Sequence, residues 1–176
     1  DALPEASDAV QAFVDETVLS RIGETERDDL DALSAEPRPV NSAHLDDLNL
    51  NPLDDAALLR WPNGLVEVQH LVRNVRRVAW QEPEAIHLKA IERWRKIEDV
   101  DARWFEAYHM LMAGQNPSEF IVEHESSILV QSAAAAALLD DVLHLLPTAH
   151  EIRTMAAKLA LDRAEFAVAE SYLSTL

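Results

Sequence analysis

The chain has 176 residues, 48% of them hydrophobic, with only three glycines and no cysteine. A net charge of −17 would repel nucleic-acid phosphates and anionic membrane headgroups, so we expect neither as a partner, whereas a basic protein partner is allowed. The lack of cysteine excludes disulfides and thiolate chemistry, and it fits the cytoplasmic location that we expect. Few glycines and long apolar segments favour an all-α protein over a turn-rich β fold.

The first two thirds of the chain read as helices separated by short stops that contain proline or glycine. The predicted helices cover residues 7–21, 25–36, 53–61, 65–81, 83–97 and 101–113. A turn is expected at Pro62-Asn63-Gly64, and Gly114 is a candidate helix stop. The helix over 65–81 is predicted to bury one apolar side, formed by Leu65, Val68, Leu71, Val72, Val75, Val78 and Ala79.

Residues 37–54 interrupt this series, with three prolines and no clear helical or strand period. A segment of this length without a period is unusual in a compact domain, so we expect either a functional loop or a strap across the surface. We favour a strap that packs through its leucines, which are Leu45, Leu48, Leu50 and Leu53.

Residues 116–146 are predicted to form one long central helix, around which the other helices pack. Asn116 can cap its start, and Pro147 cannot continue its hydrogen bonds, so the helix should end there. Two neighbouring apolar rows repeat every seven residues, namely Ile121, Ile128, Ala135 and Val142 beside Val122, Leu129, Ala136 and Leu143. The run over 133–139 is apolar on every side, which predicts burial in the middle of the protein.

These elements predict an all-α, single-domain multi-helix bundle over residues 1–176. Trp61 and Trp80 flank helix ends and could line a pocket or an interface, although aromatic residues at helical spacing are usually core. No phosphate-binding loop and no order of Ser, His and Asp typical of nucleophilic catalysis is present. The leading hypothesis is therefore a non-enzymatic interaction or scaffold protein with an acidic surface and no cofactor, which could also pair with its own copy.

Three Glu-x-x-His pairs raise the alternative of a metal site: Glu67/His70, Glu84/His87 and Glu106/His109. Paired motifs of this spacing hold the di-iron site of ferritin-like bundles, which these pairs resemble at the level of the motif. Helical projection places only His87 inside an apolar face, with Glu84 at its edge. It leaves Glu67 and His70 solvated, and it leaves Glu106 and His109 marginal or exposed. Glu123 and His124 could face the helix of His87 and complete a site for iron or manganese.

A second alternative comes from residues 149–160, which resemble the active helix of histidine-containing phosphotransfer domains. The matching residues are Ala149, His150, Ile152, Arg153, Ala156 and Leu159. Thr154 stands where that family has a glycine, which puts the approach of a response regulator in doubt. The resemblance implies that His150 is an exposed, phosphorylatable histidine.

Residues 156–176 resemble a tetratricopeptide repeat. Ala164-Glu165-Phe166 occupies the turn that normally reads Gly-Asp-Tyr, and one helical row follows from Phe166 through Ala169 to Leu173. Only one repeat is legible, whereas three or more are usual, so an ordinary helical hairpin is the alternative. Either interpretation implies packing or partner binding, with Phe166 and Tyr172 as candidate interaction residues.

Overall fold

The computed structural model describes residues 12, 16, 17 and 19–174. Most of the helix predicted over 7–21 lies outside them. The described residues are mostly helical, with one two-stranded sheet, so the prediction of an all-α multi-helix fold is confirmed. The elements are α1 (Glu24–Ser34), α2 (Leu50–Asp55), β1 (Leu59–Arg60), β2 (Glu67–Val68), α3 (His70–Ala79), α4 (Pro83–Arg95), α5 (Ala102–Met112), α6 (Ser118–Glu123), α7 (Glu125–Ile128), α8 (Ser132–Leu145), α9 (His150–Asp162) and α10 (Phe166–Leu173).

The chain divides into two compact units, residues 1–93 and 94–176. In the described residues, the first unit holds α1 to α3, both strands and most of α4. The second unit holds the last two residues of α4 and all of the helices from α5 to α10. That the whole chain forms a single domain stays a prediction.

A short β-hairpin in the first unit replaces parts of two predicted helices. β1 pairs antiparallel with β2, with Leu59 opposite Val68. Asn63 and Gly64 connect them with positive φ angles of 53° and 81°. Asn-Gly is the pair that tolerates two such angles in a tight turn, so the predicted turn is confirmed. The helices on either side are shorter than predicted because the residues next to the turn pair as strands.

The segment 37–54 is fastened to this hairpin. Val40 and Val66 exchange two backbone hydrogen bonds of 3.0 and 2.7 Å. Leu45 and Leu53 are buried, with 1% and 0% exposure, and the other two leucines of the segment are half-buried. The segment therefore packs against the first unit through backbone pairing at one end and leucine burial further on.

The apolar side predicted for α3 is only partly correct. Val72 and Val75 are buried, but Leu71 and Val78 are 54% and 75% exposed. α1 packs against α3, and its contact includes a two-point ion pair from Arg76, whose Nε and Nη2 each lie 2.7 Å from a carboxylate oxygen of α1. The contact of α3 with α1 therefore includes a charged pair, and Leu71 and Val78 lie outside the core.

The long helix predicted over 116–146 consists of three helices, α6, α7 and α8. Helical geometry is lost at His124 (φ −106°, ψ 24°) and again at Gln131 (φ −100°, ψ 74°). Serines and β-branched residues surround both points and have low helix propensity. The continuous central helix is therefore corrected to three shorter ones. The predicted N-cap at Asn116 is corrected as well, because Pro117 occupies the N-cap position of α6. Asn116 lies one residue earlier, and its Oδ1 accepts a hydrogen bond of 3.0 Å from the N–H of Ser118.

The seven-residue spacing nevertheless identifies the buried side of all three helices. Every member of the first row has 0% exposure: Ile121, Ile128, Ala135 and Val142. All members of the second row are half-buried. Ala133 and Ala137 are exposed, so the run over 133–139 is not buried on every side as predicted.

The helix with the most extensive packing in the second unit is α9. It packs against α6, α8 and α10, whereas α5 packs against α7 and α8. Six of its residues are buried: Ile152, Met155, Ala156, Ala157, Leu159 and Ala160. Alanines among these residues allow neighbouring helices to approach closely. The unit is therefore organised around α9 rather than around residues 116–146.

Three helices end in the same left-handed turn. The residue after the C-cap has a positive φ angle in each case: Ala57 (56°), Gly114 (72°) and Ala164 (58°). The following N–H then bonds to the carbonyl five residues earlier, as in Leu58 to Leu53, Gln115 to Met110 and Glu165 to Ala160. This is the Schellman motif, which favours glycine at the left-handed position. The predicted stop at Gly114 is confirmed, and two alanines hold the same geometry.

Replacing Ala164 with glycine should raise the free energy of unfolding by about 0.5–1 kcal/mol. The left-handed conformation costs alanine about 1–2 kcal/mol, and the greater freedom of glycine in the unfolded chain offsets part of the gain. Urea unfolding followed by circular dichroism measures the change. The matched control is Ala137→Gly, at an exposed position inside α8, which should lose about 1 kcal/mol. Equal losses in both variants would contradict the expected strain at Ala164.

Candidate functional site

The residues predicted to bind metal are found in different environments. Glu84 is exposed on α4, whereas His87 is buried, with its ring edge-on to Trp80 at a centroid distance of 6.0 Å. Those residues belong to the first unit, and Glu123 and His124 belong to the second. Among the residues that the structure describes, no group of three or more His, Asp or Glu side chains is arranged to hold a metal ion. The iron or manganese alternative stays a prediction without geometric support.

The pair Glu106/His109 is buried, at 1% and 0% exposure, so its predicted exposure is wrong. Arg95 Nε lies 3.1 Å from one carboxylate oxygen of Glu106, and Arg103 pairs with the other oxygen. These two arginines satisfy the charge that burial would otherwise make costly. Within the second unit, the carboxylate is thereby occupied with two arginines, Arg95 and Arg103.

The pair Glu67/His70 is divided between core and surface. The Glu67 side chain is 9% exposed, whereas that of His70 is 59% exposed. Arg60, His70 and Arg73 each place a nitrogen within 3.5 to 3.9 Å of the Glu67 carboxylate. The predicted solvation is therefore correct for His70 and wrong for Glu67, which is surrounded by basic groups rather than by metal ligands.

His150 is the first residue of α9 and is exposed, as the phosphotransfer resemblance implies. Thr154 stands at the position where that family has glycine. Its hydroxyl donates a hydrogen bond of 2.9 Å to the backbone carbonyl oxygen of His150. In the described part of the chain, α10 alone follows α9. A phosphotransfer role for His150 stays a prediction.

Trp80 lines a cavity of about 400 Å³ in the first unit. The other lining residues come from α1, α3, α4 and the segment before α4, and are Asp28, Asp31, Ala32, Arg76, Ala79, Gln81, Glu82, Ala85, Ile86 and Lys89. The ion pair between Asp31 and Arg76 forms part of its wall. Trp61 lies elsewhere, 45% exposed, with its Nε1–H donating to Asp54 at 2.9 Å.

The pair α9 and α10 exposes a group of large apolar side chains. α10 buries only Ala169, whereas Phe166 is 68% and Leu173 is 49% exposed. Phe166 and Leu173 are seven residues apart, so they lie on one side of the helix. Leu161, at the end of α9, is 48% exposed and is joined to Phe166 by a short turn. We call Leu161, Phe166 and Leu173 the C-terminal patch.

Tyr172, the second predicted interaction residue, is engaged inside the unit. Its hydroxyl donates a hydrogen bond to Asp140 and so ties α10 to α8. Burial raises the pKa of Tyr172 to about 12, and the hydrogen bond to Asp140 and the negative charges of Asp140 and Glu165 act in the same direction. Tyr172 therefore positions α10 and leaves Phe166 as the exposed aromatic residue of that helix.

This pKa gives the protein a specific response to alkali. The pKa of Tyr172 is raised from 10.0 to about 12 on folding, so its contribution to stability is fully present below pH 10 and is lost as the pH rises towards 12. We expect Tyr172→Phe to be the less stable protein below pH 10, by about 0.5 kcal/mol, because it lacks the hydrogen bond. Urea midpoints of both proteins should converge between pH 10 and pH 12. A constant difference across this range would contradict the prediction.

The lysine and arginine side chains of α8 to α10 and the turn between α9 and α10 are engaged within the unit. Lys158 pairs with Glu125 at 3.0 Å, Arg163 pairs with Glu165 at 2.8 Å, and Arg153 donates to a backbone carbonyl. Five acidic residues of these helices are exposed and form no ion pair within the described residues: Asp140, which accepts the hydrogen bond from Tyr172, and Asp141, Glu151, Asp162 and Glu170. Of these carboxylates, Asp162 directly follows Leu161 in the chain, and Glu170 lies between Phe166 and Leu173 on α10.

No protein-family model matches the chain, and neither the curated proteins nor the solved structures contain a match. No helix in the described ranges has the length and apolar character needed to cross a membrane. Sequence reasoning identified Phe166 but missed Leu161 and Glu170, although the spacing of Glu170 from Phe166 and Leu173 places all three on one helix side.

Proposed function

We propose that this chain is a non-enzymatic helical interaction protein that binds a protein partner through the C-terminal patch. The observation that carries the proposal is the exposure of α10, which buries Ala169 alone and leaves Phe166 68% exposed. Apolar surface in water is unfavourable by about 25 cal/mol per Å² relative to its buried state. A partner that covers Phe166 and Leu173 would remove this penalty, and clustered exposed apolar residues often mark interaction sites.

The resemblance to a tetratricopeptide repeat supports the same surface. Its helical row runs through Phe166, Ala169 and Leu173, and in this chain only Ala169 is turned inward. In repeat proteins, each helix pair packs against its neighbours through an apolar face. The cavity beside Trp80 gives less support, because Asp31 and Arg76 in its wall already pair with each other.

The proposal is tested by affinity capture from native lysate. The wild type should retain a specific protein, and the double variant Phe166→Ser/Leu173→Ser should lose it. The control is Val78→Ser, which removes an apolar side chain of 75% exposure from α3 in the first unit. Circular dichroism establishes that each variant is folded. Equal capture by the wild type and the double variant would overturn the proposed function.

A further inference from the structure

We infer that the element bound at the C-terminal patch is a basic amphipathic helix of the partner protein. Its apolar side lies along Phe166 and Leu173, and its Lys or Arg residues face Glu170 and Asp162. This inference rests on the proposed function and names the chemistry of the partner. Three features of the second unit lead to it, namely the arrangement of residues on α10, the distribution of charge and the packing of successive helices.

The residues on the outer side of α10 alternate between apolar and acidic. Glu170 lies four residues after Phe166 and three before Leu173, so all three side chains project from the same side of the helix. Ala169 is buried at 1% exposure. α10 has eight residues, which is about 12 Å at 1.5 Å per residue. A partner helix matches such a row with apolar residues at positions i, i+4 and i+7.

The charged residues near the C-terminal patch indicate that the partner segment is positively charged. The lysine and the two arginines of this region, Lys158, Arg163 and Arg153, are already held by Glu125, by Glu165 and by a backbone carbonyl, respectively. Exposed carboxylates remain at Asp162, beside Leu161, and at Glu170. The whole chain carries a net charge of −17, which attracts a basic segment from a distance and repels an acidic one.

The packing of the second unit favours a helix over an extended segment. α9 lies against both α8 and α10, so consecutive helices pack side by side. A further helix on α10 continues this arrangement, whereas the described residues of this unit form no strand that an extended segment could extend. A second copy is disfavoured, because a two-fold interface would place Glu170 and Asp162 near their own counterparts.

Three designed peptides test the inference on the full chain. The first is an amphipathic helix of Leu and Lys, the second replaces each Lys with Glu, and the third has the first composition without helical periodicity. Binding is measured by fluorescence anisotropy. The first peptide should bind saturably, and binding should weaken when salt is raised from about 0.1 M to about 1 M, because the screening length falls from about 10 Å to about 3 Å.

Two protein variants locate the binding, each with a matched control. Phe166→Ala and Glu170→Lys should each weaken binding of the first peptide by about tenfold. Val78→Ala and Glu84→Lys, at exposed positions of the first unit, should leave it unchanged. All four variants should retain the melting temperature of the wild type within a few degrees, because the altered side chains are exposed.

Several results would overturn the inference. Equal binding of the acidic or the non-periodic peptide would show that charge or periodicity does not select the partner. Unchanged binding by Phe166→Ala or Glu170→Lys would place the peptide elsewhere. Self-association of the wild type in sedimentation, abolished by Phe166→Ala, would assign the patch to a second copy. If no peptide binds while lysate capture still depends on Phe166 and Leu173, the inference fails and the proposed function stands.

Discussion

Replacing Arg93 with alanine is expected to lower the free energy of unfolding by about 3–5 kcal/mol. Arg93 is 7% exposed, and its Nη1 lies 3.1 Å from the Oε1 of Glu36, whose own exposure is 2%. The variant would leave the Glu36 carboxylate without this partner in a buried position. Arg93 also contacts Asp47 at 2.7 Å, but the Asp47 side chain is 54% exposed and its contact is largely screened by water.

Urea unfolding monitored by circular dichroism measures this loss. Lys89→Ala, which removes an exposed cation from the same helix, is the control and should change stability by at most about 0.5 kcal/mol. The double variant Glu36→Leu/Arg93→Met should recover much of the loss, because an apolar pair of similar volume carries no desolvation penalty. A loss below about 1 kcal/mol in Arg93→Ala would contradict the assignment of a buried ion pair.

Replacing Trp94 with alanine is expected to lower the free energy of unfolding by about 3–5 kcal/mol. Trp94 has 0% exposure and stacks on Phe105 with a centroid distance of 4.0 Å and an interplanar angle of 5°. Phe105 in turn meets Trp104 edge-to-face at 5.2 Å. Removing the indole leaves a large cavity and takes away the stacking partner of Phe105. Both effects lower the free energy of unfolding.

Trp94→Phe and Trp61→Ala separate these effects. Trp94→Phe keeps an aromatic ring in contact with Phe105 and should lose clearly less than the alanine variant. Trp61→Ala removes an indole that is 45% exposed and bonded to Asp54, and it should lose only about 1 kcal/mol. Equal losses for Trp94→Ala and Trp61→Ala in urea unfolding would contradict the importance of the stacked pair.

Periodicity in the sequence predicted which residues are buried more reliably than it predicted whether a helix is continuous. The row from Ile121 to Val142 is buried throughout, because the seven-residue spacing keeps these residues on one side of any helix that contains them. The breaks at His124 and Gln131 follow from tertiary packing together with weak local propensity, and neither leaves a sharp signal such as a proline. The same limit applies to the hairpin, where Asn63-Gly64 was recognised as a turn but its flanking strands are only two residues each.

The environments of the charged residues were the least predictable. Helical projection placed Glu106 away from the apolar face of its helix and hence at the surface, but two arginines allow it to be buried. Tyr172 bonds to Asp140, which is 32 residues earlier in the chain, and a local pattern contains no information on such a contact. Phe166 was identified because it belongs to a recognisable helical row. The exposure of Phe166 could not be predicted in the same way, because it depends on whether another helix covers α10.

The division of residues 116–146 into three helices has a simple geometric consequence. As a straight rod, these residues would measure about 45 Å at 1.5 Å per residue. A compact unit the size of residues 94–176 has an expected radius of gyration of about 12 Å and hence a diameter of about 30 Å. A rod of that length touches a globule only near its middle, and its ends project into water. Two bends let the same residues follow the curvature of the core, so that Ile121 at one end and Val142 at the other are both fully enclosed.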